Sequence, residues 1–416
     1  MLTINQLLKE CQEQLNNQTI VVCVSTGIDS MVLLDIVQKL QNVKIVVAHV
    51  NHHKREQSNE EQAYIVEYCK NNNLKCYVEE LHFNDTKNFQ ENARIKRYQF
   101  FEKVIKMEQA QYLLTAHHAV DNLETILIRL IKSSSHKGYA GIEKLQKHND
   151  YYIYRPLLNL TKQDIYDYQK QNNIKFFNDE SNDQDDYLRN RIRHNIIPEM
   201  EKENPSLYKA IEIYQQHILE TNKLLFEKIN SFINNEVLAQ NNIISFKQQS
   251  FLELSNYLQE QVLFEILKKY NLSKTLIEEL IDQIKSNKNT IINNISTNLT
   301  MIKEYGYIKF GKLSKIDSFS LTISTDGTYF LPNNTKIIVD KNISYFETEN
   351  NKMCYNIKDL PITIRTRVDG DKILVNNKLK NLSDYLTNNK ISHFVRESLL
   401  VVTNNLNQVI YLIEMK

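Results

Sequence analysis

Ser25-Thr26-Gly27-Ile28-Asp29-Ser30 is the stretch on which the reading of this chain turns. It follows an apolar run, Thr19 to Val24, and opens an amphipathic one, Ile28 to Leu40, so it reads as a loop between a strand and a helix. Such a loop is suited to phosphate, because a helix start leaves N–H groups unpaired and its dipole favours an anion. Gly27 lets the backbone take a positive φ and approach a ligand closely. The hydroxyls at 25, 26 and 30 are expected to converge on the same point. The run lacks the Lys-Ser/Thr ending of a Walker A loop, which predicts a different kind of nucleotide site.

Outward from the loop, short β-branched runs alternate with helical periods. Ile20 to Ser25, Lys44 to Asn51, Lys75 to Leu81 and Tyr112 to Ala116 read as strands, with helices from about Ile28, Ser58, Asn88 and Val120. This alternation predicts an α/β fold, a parallel sheet with helices on both faces. Ligands in such sheets bind at the carboxyl ends of the strands, where residues 25–30 lie. From about Asn204 the pattern becomes helical without strands. Leu225, Ile229, Phe232, Ile233 and Val237 share one face, as do Leu258, Val262, Leu263, Ile266 and Leu267. Pro198 and Pro205 mark a boundary near 200. Strand-like runs such as Phe319 to Ser324 and Lys336 to Val339 follow Ser314, and a last unit begins near Tyr355. The expected domains are therefore 1–200, the α/β domain; 201–350, mainly helical with a strand-rich end; and 355–416, a small α+β domain.

A chain of 416 residues has ample core for two or three domains. Its net charge of +1 leaves no global field to draw in nucleic acid, so polyanion binding must rest on local patches. Cysteines at 11, 23, 69, 76 and 354 form no Cys-x-x-Cys pair and suggest no disulfide framework. Met1 to Gln14 reads as a polar amphipathic helix and not as a signal peptide, and no apolar run approaches a membrane span. A cytoplasmic protein is expected.

Four further clusters bear chemistry. In Ala116-His117-His118-Ala119-Val120-Asp121-Asn122-Leu123-Glu124-Thr125, positions 117, 121 and 124 are spaced i, i+4, i+7 and share a face if the helix begins early. Carboxylates beside a bound nucleotide suggest Mg²⁺; the same acids also simply favour a helix N-terminus. His49, His52 and His53 end the second strand without metal-ligand spacing to a Cys or carboxylate, which fits a solvated strand end. Arg189 and Arg193 lie four apart, with Arg191 between them. Their guanidinium forks match phosphate oxygens, though such a strip also suits a solvated helix face. Lys and Arg outnumber Asp between 358 and 396, where Arg365, Arg367, Lys378 and Lys380 make a candidate backbone-phosphate patch.

In order along the chain, these clusters resemble the tRNA(Ile)-lysidine synthase family of the PP-loop ATP pyrophosphatases. The resemblance rests on residues 25–30, His49-Val50-Asn51-His52, Ala93-Arg94 with Arg97-Tyr98, and Ala116 to Thr125. It continues through Lys137-Gly138-Tyr139-Ala140-Gly141-Ile142, Arg155-Pro156-Leu157-Leu158, Glu180-Ser181-Asn182, and Arg189 to His194. It ends with Arg367-x-x-Gly370-Asp371 and the stretch from Lys380 to Arg396. The resemblance implies an ATP-dependent ligase acting on an isoleucine tRNA with a CAU anticodon. ATP adenylates the C2 oxygen of the wobble cytidine, the ε-amine of free L-lysine attacks C2, and AMP leaves. The lysidine formed changes codon reading from AUG to AUA and identity from Met to Ile.

On that reading Ser25, Thr26, Gly27, Ile28, Asp29 and Ser30 bind ATP, and Asp29 and Asp121 lie near Mg²⁺. Asp29, His117, Asp121 and Glu124 border the reacting centre. Arg94, Arg97, Arg189, Arg191, Arg193, Arg365, Arg367, Lys378 and Lys380 contact phosphate or tRNA. The partners expected are tRNA, ATP and lysine, with no membrane and with a homodimer as the assembly considered. Two positions depart from the family pattern. Thr26 replaces the first glycine of Ser-Gly-Gly-x-Asp-Ser, and Val120 stands where many members carry an aspartate. A PP-loop enzyme that thiolates tRNA is the nearest alternative, and the lack of Cys-x-x-Cys argues against it. A non-catalytic nucleotide or RNA-binding adaptor is the other.

Overall fold

The computed structural model describes residues 4–51, 53, 57–81, 89–132, 134, 136–177, 188–332, 336–340, 345–348, 351–354 and 360–415. His52, Glu180-Ser181-Asn182 and the junction at Tyr355 lie outside the described residues. The chain divides into two compact units, 1–224 and 225–416.

The first unit contains ten helices and six strands among its described residues. In chain order they are α1 (Ile4–Leu15), β1 (Thr19–Cys23), α2 (Ile28–Gln38), β2 (Lys44–Asn51), α3 (Gln57–Asn71), β3 (Lys75–Glu80), α4 (Phe89–Glu108), β4 (Tyr112–Leu114), α5 (Ala119–Lys132), α6 (His136–Tyr139), β5 (Leu145–His148), β6 (Tyr151–Tyr154), α7 (Lys162–Asn172), α8 (Leu188–Arg191), α9 (Ile197–Glu203) and α10 (Leu207–Glu236), the last running on into the second unit. A π-type turn, Ile192–Ile196, joins α8 to α9.

The strands form one sheet in the order β3-β2-β1-β4-β6-β5, parallel except for the edge strand β5. The mostly parallel sheet is the one expected, and the β5–β6 hairpin extends it. Side chains of β1 alternate between two cores, as a strand covered on both faces must. Ile20 and Val22 join Leu7, Leu33, Ile165 and Tyr168 on one face; Val21 joins Phe101, Val104, Leu113 and Ile153 on the other. Strand order reverses at β1/β4, where Val22 lies opposite Leu114. The segments leaving these two strands, Val24–Gly27 and Thr115–His118, therefore emerge side by side at the carboxyl edge, the usual binding crevice of such sheets.

In the second unit the helical faces expected from the sequence do pack together. Ile229, Phe232, Val262, Leu263 and Leu267 share a core with Phe246, Phe251 and Phe310. The absence of strands expected after 204 is corrected. An antiparallel sheet runs in the order Leu238–Gln240, Ile243–Lys247, Tyr307–Gly311, Leu299–Glu304, Ile291–Ser296. Asn293-Asn294 and Lys303-Glu304 masked it in the sequence. Lys303 is buried because its ammonium donates to the carbonyls of Ile284 and Ser286, and Glu304 because it accepts from Lys309, Ser392 and His393. A six-stranded sheet follows, drawing its first strand from Ser320–Ile323 and its others from Ile362 onward, beside a four-stranded antiparallel sheet between Gly327 and Cys354.

Candidate active site

The loop at 25–30 joins β1 to α2 as expected, but its conformation corrects one detail. Gly27 is extended, with φ −67° and ψ 160°, and the positive φ of +65° belongs to Thr26. Thr26 is fully buried, and its hydroxyl donates to the Ser25 carbonyl at 2.5 Å. Ser30 accepts the Ser25 N–H at 3.1 Å and donates to the Gly27 carbonyl at 2.9 Å. These two hydroxyls brace the loop and do not converge on a ligand point. As N-cap of α2, Gly27 supplies no side chain to the first-turn N–H groups, so these donors stay available to an anion.

His117 lies in the segment between β4 and α5, because α5 begins only at Ala119. The shared helical face expected of 117, 121 and 124 therefore reduces to Asp121 and Glu124. His117 Nδ1 is 2.8 Å from Thr115 Oγ1, and burial pushes the imidazole pKa down to about 4, leaving the ring neutral near pH 7. Its neighbour His118, which sequence reasoning passed over, is more central. Its Nε2 lies 3.9 Å from Asp29 Oδ1 and 3.6 Å from Asp121 Oδ2. Asp121 Oδ2 also accepts the His118 N–H at 3.0 Å, closing the first turn of α5. Burial acts to raise the Asp121 pKa, but the two histidines, that N–H and Arg193 outweigh it and hold the carboxyl below its ordinary range.

Asp29 is held by a second residue that the sequence reading missed. Lys162 Nζ is 2.6 and 2.8 Å from its two oxygens. The signal for Lys162 was the capping box of Thr161 and Asp164, which fixes the start of α7 and makes Lys162 its first residue. Glu124 is fully buried. Arg193 donates to its Oε1 and reaches Asp121 Oδ1 at 3.1 Å, while Arg189 Nε lies 2.9 Å from Oε2. Burial pushes the Glu124 carboxyl up, against the pull of these two cations. The result is a continuous run of ionisable side chains, Lys162–Asp29–His118–Asp121–Arg193–Glu124–Arg189. It starts at the phosphate loop and crosses the β1/β4 edge.

Beside this run lies a cavity of about 600 Å³ lined by Arg94, His117, Arg129, Lys137, Arg155 and Arg189, with Glu143 the lining carboxylate. Arg155, which sequence reasoning placed only within a motif, is buried and donates to the Glu143 carbonyl at 2.6 Å. Arg97 is half-buried on α4 and Arg191 is exposed. In the second unit, Arg365 forms a bidentate pair with Asp371 at 3.0 and 2.6 Å, and Arg367 bonds Glu397 at 2.8 Å. Lys378 and Lys380 are exposed.

A family model described as a PP-loop domain matches residues 1–200. The tRNA(Ile)-lysidine synthase of Staphylococcus aureus strain N315 is 32% identical over 94% of this chain and 92% of its own length. The bifunctional protein TilS/HprT of Listeria innocua is 29% identical over 95% of this chain, and the chain spans 64% of that protein's length. Among solved structures, the U34-tRNA thiolase NcsA of Methanococcus maripaludis is 15% identical over 52% of this chain and 80% of its own, with a TM-score of 0.44. No described helix is long and apolar enough to cross a membrane. Near-full-length identity to a curated synthase, with a PP-loop domain at the front, places this chain in the tRNA(Ile)-lysidine synthase family.

Proposed function

We propose that the crevice at the β1/β4 edge activates the wobble cytidine of a CAU-bearing tRNA(Ile) and joins it to free L-lysine. The chain is an ATP-dependent, lysidine-forming ligase of its family. The observation that carries the assignment to this site is the run of ionisable side chains from Lys162 to Arg189, which joins Asp29 of the 25–30 loop to the basic cavity.

The first-turn N–H groups of α2 take the ATP phosphates. The C2 oxygen of cytidine bonds to the α-phosphorus, the bond to the β-phosphate bridge breaks, and diphosphate leaves. Charge developing at phosphorus meets Lys162 and Arg193, fixed groups of the kind that usually supply the largest catalytic contribution. The ε-amine of lysine then bonds to C2 as the C2–O bond to AMP breaks. That amine must be neutral, so its proton needs an acceptor. Asp121, held ionised, and His117, held neutral, are the two groups suited to take it.

Asp29 and Asp121 are hard oxygen donors of the type magnesium selects. No group of three His, Cys, Asp or Glu among the described residues is arranged to hold a metal. They are the residues that would hold such an ion, most of whose shell would come from water and phosphate. Bound there, Mg²⁺ would neutralise charge on the triphosphate. The basic cavity takes backbone phosphates of the RNA beside the reacting nucleotide.

The test supplies ATP, labelled lysine and transcripts of the CAU-bearing isoleucine and methionine tRNAs. Label entering only the isoleucine transcript, with stoichiometric AMP and diphosphate, is the expected result. Cleavage of ATP to ADP and orthophosphate would overturn the reading.

A further inference from the structure

The end of α6 and the turn at 140–142 form one wall of the basic cavity, and side-chain amides hold that turn in a closed ring. Gln215 of α10 is buried, and its Nε2 donates to the carbonyls of Ala140 at 2.7 Å and Ile142 at 2.5 Å. Its Oε1 accepts from Asn122 Nδ2 at 3.0 Å, and Asn122 Oδ1 accepts the Ile142 N–H at 2.7 Å. Asn122 sits on α5 next to Asp121, so the ring ties the cavity wall to the helix that carries Asp121 and Glu124. Arg129, also on α5, donates to the carbonyls of Gly138 and Gly141. Gly141 has φ +73°, and a Cβ there would lie 2.2 Å from Asn122 Oδ1. The turn therefore lies so close to the amide ring that only glycine fits at that position.

A buried glutamine has two donors and one acceptor oxygen to satisfy, and here each has a partner from the wall or from α5. No other residue type of this length offers two donors and an acceptor at one tip. We infer that Gln215 is a positioning residue: it fixes the wall of the cavity that receives RNA, and it does so without touching the phosphate loop. The inference rests on the reading of the cavity as the RNA site.

Gln215→Met keeps the length of the side chain and removes every hydrogen bond of its tip. Affinity for the tRNA transcript is expected to fall about tenfold, the size of one or two lost hydrogen bonds. ATP affinity measured without RNA should stay within about twofold, since Gln215 has no contact with residues 25–30. Hydrogen exchange at the Ile142 amide should speed up. Gln215→Glu, which keeps the size and the acceptor for Asn122 but loses both donors, serves if the methionine variant does not fold, and should weaken RNA binding at least as much. Unchanged RNA affinity in the folded variant would overturn the inference. So would RNA and ATP affinity falling together with the melting temperature, which marks a purely structural part. Lysine transfer by the wild type is scored separately. If it fails while the variants still lose RNA, the proposed reaction falls and the role of Gln215 stands; normal transfer with normal RNA binding by the variants sinks the role alone.

Discussion

Thr26 carries a β-branched side chain at φ +65°, in the left-handed region that costs an L-residue about 1–2 kcal/mol. Thr26→Gly relieves that strain but adds freedom to the unfolded chain worth about 0.4–1 kcal/mol and loses the bond to Ser25. Its urea midpoint should lie close to wild type; a loss above about 2 kcal/mol would show that the hydroxyl brace outweighs the strain. Gly27 is the opposite case. A Cβ there would meet only Ser25 Oγ, at 3.6 Å, so Gly27→Ala should fold with an unchanged melting temperature. Its ATP affinity should nonetheless drop by about tenfold or more, because a methyl would stand where phosphate approaches the helix start. Unaltered ATP binding in that variant would remove the loop from the nucleotide site.

His117 and Asp121 give the residue scale its pH dependence. The folded-state pKa of His117, about 4, lies below the ordinary 6.5, so the unfolded chain binds more protons between those values and stability falls as pH drops through that window. His117→Gln, which keeps a hydrogen-bonding partner for Thr115, should flatten the fall; buried His49 contributes to what remains. Urea midpoints from pH 7 to 4 measure it, and an unchanged slope would contradict a neutral His117. Asp121→Asn should abolish AMP release while leaving tRNA binding near wild type. Lost tRNA binding with intact chemistry would contradict its place in the reacting centre.

Between elements, the connection that matters most is α5 to α8 and the turn after it, made by Glu124 with Arg189 and Arg193. Removing one partner of a buried pair costs about 3–5 kcal/mol, because the survivor is left uncompensated. Arg193→Met should approach the lower end of that range, since Arg189 still faces Glu124. It should also raise the pKa of Asp121, which Arg193 helps hold down, so the acidic limb of kcat/KM moves to higher pH. An unmoved limb would mean that Asp121 does not govern it. This scale also shows what the sequence made legible. The strand starts at Lys44, Lys75 and Tyr112 are read to the residue, because alternation of helix and strand with buried β-branched runs is a local signal. The β5–β6 hairpin was not, since Leu145-Gln146-Lys147-His148 is a polar edge strand ordered by its neighbour. Similarly, the approach of His118 to Asp29 became visible only when strand order brought the segments after β1 and β4 together, a long-range fact that no spacing along the chain encodes.

For the whole molecule, the arginines and lysines that looked alike as a basic patch in the second unit divide by what they touch. Arg365 is committed to Asp371 and Arg367 to Glu397, so their loss should register first as stability. Lys378 and Lys380 are exposed on one short strand, Lys378–Asn381, and their proposed contact with an RNA backbone makes a direct prediction. Each phosphate contact releases condensed counterion, so log affinity falls with log salt by about 0.7–0.9 per contact. The double variant Lys378→Gln, Lys380→Gln should therefore weaken tRNA binding, lower the magnitude of the salt slope by about 1.5, and leave ATP affinity unchanged. Arg365→Gln should do the reverse, lowering the unfolding midpoint with little change in slope. If the lysine pair leaves the slope untouched, the strand does not meet RNA; the phosphate contacts must then come from other cations, with the cavity of the first unit the next place to measure.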